Sequence, residues 1–420
     1  MVNKNIKDRV RRQFIAKHIN IFSQDSVDEA ELRNAIMLAV DEALNFERMV
    51  ISAEEKRKVI EELMDEFHGF GPIETLLKDP GITEIMINGP DKIFAEKDGV
   101  TKLTGVTFDN EQQLSALIFK LLAPTRRRVD ESYPFTDLSL KDGSRVNIII
   151  PPLALDGPTI TIRKFSKDIV GADDLIRLGT LDHRMADFLI ACIKAKVNML
   201  FAGATGTGKT TTVAVLSGYI SNDERIVTIE DTAELHLNQP HVVRLESRPA
   251  NIEGKGEVTI RHLFKNSLRM RPDRIILGEI RGSEALDMLQ AICSGHTGSL
   301  AVLHANTPQE VIYRLETMIL TSGVPINLEV IHRQIAAAIH LIIQQDQLVD
   351  GGRRITRITQ VNGLKDGQVN LEDIFVYDID GVDAGGKVKG RWKATGVKPV
   401  FMQLFKKAGI NLSDDLFKKD

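Results

Sequence analysis

The sequence predicts an α/β protein: a helical opening segment, a small mixed α/β domain, and a larger α/β domain organised around one glycine-rich turn. Three observations predict it. At 197–212 a short apolar run, broken only by Asn198, meets a turn with three glycines and then a helix-compatible pattern through Val213, Val215, Leu216 and Ile220. Further apolar runs at 226–229, 275–277 and 299–303 each end on a chemistry-bearing residue. Before residue 69 the apolar spacing is helical, and after Gly69-Phe70-Gly71-Pro72 it becomes mixed.

The chain has 420 residues, and at roughly 150 residues per domain this suggests two to three domains. We place them at 1–70, 71–165 and 166–420. A hydrophobic content of 43% suffices for a real core. Lys and Arg number 54 against 58 for Asp and Glu, a net charge of −4, which argues against bulk polyanion binding and so against nucleic acid as a direct partner. The two cysteines, Cys192 and Cys293, make no disulfide framework and point to a reducing compartment. No apolar run reaches transmembrane length and the start lacks a signal-peptide core, so the expectation is a cytoplasmic protein.

In the opening segment, Ile6, Val10, Phe14 and Ile15 recur at helical spacing. So do Ile36, Met37, Val40, Ala43 and Leu44, and then Val59, Ile60, Leu63, Met64 and Phe67. Ser52 with Glu55 makes a capping-box pair ahead of the third helix. The first helix is basic, with Lys4, Lys7, Arg9, Arg11, Arg12 and Lys17 opposing only Asp8. It reads as the solvated face of a small bundle, or as a face for a membrane surface or partner.

In the second part, 82–87 alternates like a strand before Asn88-Gly89-Pro90. Asp98-Gly99 and Asp142-Gly143 are hairpin signals between strands at 93–96 and 100–103 and at 137–140 and 145–150. Residues 114–122 are helical and 159–165 form the last strand. In the third part, helix-compatible stretches at 175–178 and 185–193 lead into the glycine-rich turn. Strand patterns at 355–361 and 374–377, turns at 346–352 and 381–386, and a helix started by Val400, Leu404 and Phe405 finish the chain.

The turn reads Gly203-Ala204-Thr205-Gly206-Thr207-Gly208-Lys209-Thr210, followed by Thr211. It matches the P-loop pattern in the strand–turn–helix context that the pattern requires. Glycines let backbone N–H groups converge on an anion, and the helix N-terminus adds its positive end. Lys209 would reach the β and γ phosphates, and the Thr210 hydroxyl would ligate Mg²⁺.

Three later segments add chemistry. Glu230 and Asp231 end the strand at 226–229, where ligands of open α/β sheets collect. Glu279 follows the buried run 275–277 and can hold Mg²⁺ through water or polarise an attacking water. His296 and His304 flank the strand at 299–303, where a histidine could sense the γ-phosphate or hydrogen-bond Glu279. No zinc spacing accompanies them. Arginines stand out in the second part: Arg126, Arg127, Arg128, Arg145 and Arg163. A strand arginine points to water, or it clamps the nucleotide's phosphates, an effect of roughly 10³–10⁵ in rate where it operates. Spacing leaves both readings open.

The four boxes occur in a recognisable order: 203–210, 229–234, 275–281 and 295–304. With the phrases DGSRVNIIIPPLALDGPTITIRKF, LRMRPDRIILGEIRG, SGHTGSLAVLHANTP and ATGVKPVF, the chain resembles the secretion-ATPase superfamily of type II and type IV secretion and type IV pili. It is most similar to the CpaF/TadA-type ATPase of tight-adherence (Flp) pili, over roughly residues 55 to 412. The resemblance implies a RecA-like motor domain preceded by a PAS-like α/β domain, a homo-hexameric ring, and ATP with Mg²⁺ lying between the two domains. It implies inner-membrane platform proteins as partners and pilin as the indirect cargo. Carried over by motif, Lys209 and Thr210 hold phosphate and Mg²⁺, Glu279 is the Walker B acid, and Glu230 is a second candidate for positioning water. His296 and His304 are the His-box pair, Arg269 precedes Walker B, and Arg128, Arg145 and Arg163 form the clamp. Which glutamate is the base stays open. With two cysteines, the tetracysteine zinc motif of some family branches is absent.

Overall fold

The computed structural model describes residues 6–7, 9–11, 28–97, 99–125, 127–140, 142–164, 169, 171–250 and 254–420. Backbone contacts divide the chain into two compact units, 1–165 and 166–420.

In the first unit, residues 6–7 and 9–11 are helical. They pack with α1 (Glu29–Glu47) and α2 (Ala53–Phe67) through Ile6, Val10, Ile36, Val40, Val59 and Leu63. Asp28 caps α1, and Ser52 with Glu55 forms the reciprocal capping box of α2. Met37 departs from the expected buried stripe, with 41% of its surface exposed. The basic first helix is answered from within the unit: Lys7 pairs with Glu62, Arg9 with Glu47, and Arg11 with both Glu66 and Asp109. Lys4, Asp8, Arg12, Phe14, Ile15 and Lys17 lie outside the described residues.

After the short α3 (Glu74–Lys78) comes an antiparallel sheet. Its strands are β1 (Ile82–Asn88), β2 (Ile93–Lys97), β3 (Val100–Leu103), β4 (Phe135–Ser139), β5 (Arg145–Ile149) and β6 (Thr159–Arg163), in the order β3-β2-β1-β6-β5-β4. Strand alternation turns Ile85, Ile87, Val146, Ile148, Ile160 and Ile162 inward, into one core with Leu114, Leu117 and Leu121 of α4 (Glu111–Leu122). Lys120 leaves that helix to donate to the carbonyls of Glu66, Phe67 and Gly69, the open end of α2. Burial there pushes its ammonium down to about 8, against the charges of Glu66 and Glu74. Asp98, Arg126 and Phe165 lie outside the described residues.

The second unit holds a nine-stranded sheet in the order β15-β14-β13-β12-β7-β11-β10-β8-β9. The strands are β7 (Met199–Ala202), β8 (Ile226–Glu230), β9 (Val242–Glu246), β10 (Arg274–Leu277), β11 (Leu300–Leu303), β12 (Leu341–Gln347), β13 (Arg353–Lys365), β14 (Gln368–Val382) and β15 (Val388–Ala394). From β12 to β9 the pairs are parallel, and β12 to β15 form an antiparallel meander. The helices are α5 (Ala172–Arg177), α6 (His183–Lys194), α7 (Lys209–Ser217), α8 (Ile260–Ser267), α9 (Glu284–Cys293), α10 (Pro308–Leu320), α11 (Leu328–Ala338) and α12 (Met402–Lys407). Both faces of the sheet are covered. Phe201 and Ile343 join the core of Phe188, Val213 and Phe375, while their neighbours Leu200 and Ile342 join that of Ile275, Leu289 and Leu303. This two-sided burial explains the continuous apolar runs. The expected turn at 346–352 starts later, because Asp346 and Gln347 complete β12. The last helix begins at Met402, and Val400 is exposed.

The strand expected from Val197 begins at Met199 because Asn198 has other work. Its Nδ2 donates to Ala338 O (2.8 Å), and its Oδ1 accepts from the amides of Gly298 (2.7 Å) and Ser299 (3.3 Å). At the same sheet edge Arg274 is fully buried, donating to both carboxylate oxygens of Glu224 (2.8 and 3.1 Å) and to Ile193 O (2.8 Å). Among the described residues, no helix is long and apolar enough to cross a membrane.

Candidate active site

The chemistry gathers at the opposite edge, where β7, β11, β10 and β8 end side by side. Parallel strands all present their carboxyl ends there. β7 runs into the 203–208 turn and α7. Gly203 has φ 153°, and a Cβ on it would lie 2.1 Å from Gln345 O, so only glycine fits. Gly208 precedes α7 at φ 92° with no side-chain cap, and the first turn of α7 carries no acid. The helix therefore presents an N-terminus suited to an anion. Ala204, Thr205 and Gly206 are exposed, while Thr210 and Thr211 are half-buried. Thr207 Oγ1 donates to Ala204 O at 3.0 Å and braces the turn.

Lys209 is buried, and its Nζ donates to Gly203 O (2.9 Å) and Ala204 O (2.6 Å). On its far side stands His304, just past β11, with Nδ1 3.5 Å from Lys209 Nζ and Nε2 3.2 Å from Glu279 Oε1. An ammonium can only donate, so Nδ1 accepts and Nε2–H donates to the carboxylate. Glu279, two residues past β10, accepts from Arg281 Nη2 at 2.6 Å on its other oxygen. Arg281 Nη1 lies 3.6 Å from Asp231, just past β8, whose Oδ1 accepts from Ser247 Oγ at 2.9 Å. One polar chain thus crosses four strand ends: Lys209, His304, Glu279, Arg281, Asp231.

The charges along this chain are tuned. Burial pushes the Lys209 ammonium down to about 8, with the Glu279 charge opposing. Burial and then the Lys209 charge lower His304 below its ordinary value and keep it neutral at pH 7, although Glu279 pulls the other way. Burial works against the ionised form of Glu279, yet the Arg281 hydrogen bond, His304 once it is protonated in the acid range, and the charges of Arg281 and Lys209 hold its carboxyl below the usual range.

The two candidate glutamates differ in setting. Glu230 is 3% exposed, and its Oε2 accepts from the amides of Glu234 (2.8 Å) and Leu235 (3.0 Å), folding the loop after β8 back on the strand. Glu279 faces side-chain cations and the Lys209–His304 pair.

The structure does not bring every expected residue to this edge. His296 precedes β11, so a strand length, roughly 13 Å, separates it from His304. Its Nδ1 lies 3.2 Å from Ala291 O at the end of α9. Arg269 is exposed in the turn before β10, at that same far edge. The segments that enter parallel strands and those that leave them lie at opposite edges of the sheet. Arg128, Arg145 and Arg163 belong to the first unit. Arg145 and Arg163 are directly opposed across β5 and β6, on the face away from α4, and both are exposed. Arg163 lies 3.8 Å from Glu84 of β1. Arg128, exposed, lies 3.2 Å from Asp130, its guanidinium 5.8 Å from the Tyr133 ring centroid. Among the described residues, no group of three or more His, Cys, Asp or Glu side chains is arranged to hold a metal.

Two side chains here carried no role in the sequence reading. Arg281 ended the box at 275–281 and could have been weighed as a partner for the acid two residues before it. Gln345, against the glycine-rich turn, had no motif to mark it.

The family "Type II/IV secretion system protein" matches residues 66–392. A candidate conjugal transfer protein of Mycobacterium tuberculosis is 33% identical over 324 residues, covering 76% of this chain and 91% of that one. VirB11 of Rhizobium radiobacter is 33% identical over 279 residues, 60% of this chain and 80% of that one. A solved structure of the pilus retraction motor PilT with bound ADP is 22% identical with a TM-score of 0.53, covering 72% of this chain and 82% of that chain, a likeness of fold alone. The second unit is accordingly a RecA-like α/β domain, and the chain belongs to the type II/IV secretion system protein family.

Proposed function

We propose that this chain is an ATP hydrolase that works as a homo-hexameric ring and powers assembly of a tight-adherence pilus, or export of its subunits. It would act at the cytoplasmic face of the inner membrane, on platform proteins and through them on pilin. The observation that carries the reading is the polar chain from Lys209 to Asp231 beside an uncapped glycine-rich turn. A polyphosphate fits there, because Lys209 spends its ammonium on two loop carbonyls and a phosphate is a stronger acceptor. Mg²⁺, held by Thr210 and by Glu279 through water, would neutralise phosphate charge. Glu279 is placed to take a proton from an attacking water, and neutral His304 links that carboxylate to Lys209. Positioning and electrostatics suffice for phosphoryl transfer.

Phosphate release by the purified chain tests this. Lys209→Ala abolishes ATP binding. Glu279→Gln keeps binding and lowers turnover by roughly 10²–10⁴. A wild-type chain that binds ATP without releasing phosphate, even with its platform partner, would instead be a nucleotide-switch scaffold.

A second reading has its own support: relatives such as the mycobacterial conjugal transfer candidate favour a type IV secretion motor moving DNA or effector proteins. The genes beside this one, and whether its deletion stops piliation or conjugation, decide between them.

A further inference from the structure

Gln345 lies in β12, outside the four motifs, and only 2% of its surface is exposed. Its Oε1 accepts from Thr212 Oγ1 at 2.8 Å, and Thr212 is a fully buried residue of α7 three positions past Lys209. Its main-chain oxygen lies 2.1 Å from where Gly203 would carry a Cβ, and its Nε2 lies 3.0 Å from that position on Gly208. One residue therefore abuts the first and last glycines of the turn and holds the helix they lead into. The preceding Gln344, 1% exposed, turns to the other face of the strand, where its Nε2 lies 3.3 Å from Ala305 O, the residue after His304. The register with β13 shifts between these two glutamines. Buried amides are costly unless paired, and once paired they fix geometry.

We infer that Gln345 is a positioning residue for the nucleotide, setting the phosphate loop against β12 through Thr212, Gly203 and Gly208. This rests on the ATP reading above. A cradle of backbone N–H groups works only if the loop is held still before the anion arrives, and β12 supplies that hold from the side of β7 away from β11.

A double-mutant cycle on the full chain tests it, reading Kd for a fluorescent ATP analogue, with thermal melting without nucleotide as the control. Gln345→Met and Thr212→Val each raise Kd about ten-fold, and the double variant is no worse than either, because one contact is broken twice. Gln345→Glu keeps an acceptor for Thr212 but brings negative charge to Gly208. Burial raises the new carboxyl's pKa, so the variant's Kd rises at neutral pH and, relative to wild type at the same pH, recovers toward about pH 5, a response that lost packing does not produce. If Gln345→Met fails to fold, Thr212→Val and Gln345→Glu decide. Kd values within about two-fold of wild type in both, or losses that add in the double variant, overturn the inference. A wild-type chain that does not bind the analogue overturns the ATP reading instead.

Discussion

Glu279 is held between a guanidinium and an imidazole, so its proton affinity depends on Arg281. Arg281→Ala removes the partner that most favours the ionised carboxylate, and the Glu279 pKa then rises. If Glu279 must be ionised to act, the acid limb of the ATPase pH profile moves to higher pH, which initial rates between about pH 5 and 8 would show. His340 gives a stability prediction. Burial pushes it from 6.5 down to about 4, and its Nδ1 accepts from the Asn198 amide. The unfolded chain therefore takes up this proton first. Stability is full above about pH 6.5 and declines toward pH 4, by on the order of 3 kcal/mol. Urea unfolding at several pH values checks this, and His340→Gln flattens the dependence. The glycine-rich turn and the strand-end acids were legible because each is local: glycines at fixed spacing, a carboxylate directly after an apolar run. The histidines were not separable, since His296 and His304 flank one strand almost symmetrically in sequence. Only the direction of that strand shows which one shares an edge with Lys209.

Among the elements, capping and alternation were readable and pairing partners were not. The Ser52–Glu55 box is present as expected, with Glu55 N donating to Ser52 Oγ at 3.2 Å and Ser52 N to Glu55 at 2.9 Å. Ser52→Ala should cost about 1 kcal/mol, seen as a lower thermal midpoint. The central strand β12 escaped notice because its second half, Gln344-Gln345-Asp346-Gln347, is polar. Gln344 and Gln345 are buried, since they reach across to Ala305 and Thr212 rather than to water. β9 and β15 escaped for another reason: as sheet edges they carry mixed faces without a clean apolar run.

At the scale of the whole molecule, the two units carry different parts of the expected chemistry: the glycine-rich turn, the strand-end acids and Arg269 in one, Arg128, Arg145 and Arg163 in the other. If the arginines act on the nucleotide, Arg145→Ala or Arg163→Ala lowers turnover far more than ATP binding. Measuring kcat beside Kd separates this from two surface arginines that do nothing. The ring has its own check, because a chain that stays monomeric with ATP bound contradicts it.

Asn198 joins the threshold of β7 to residues about a hundred and more positions downstream, at Gly298 and Ala338. β7 itself is flanked by β11 and β12, both made late. On the ribosome, the strand that leads into the glycine-rich turn emerges long before anything exists to pair with it. Nascent chains released before about residue 345 should carry the whole glycine-rich motif and yet fail to retain nucleotide. If nucleotide binds at this turn, competence should follow only after β12 has paired beside β7.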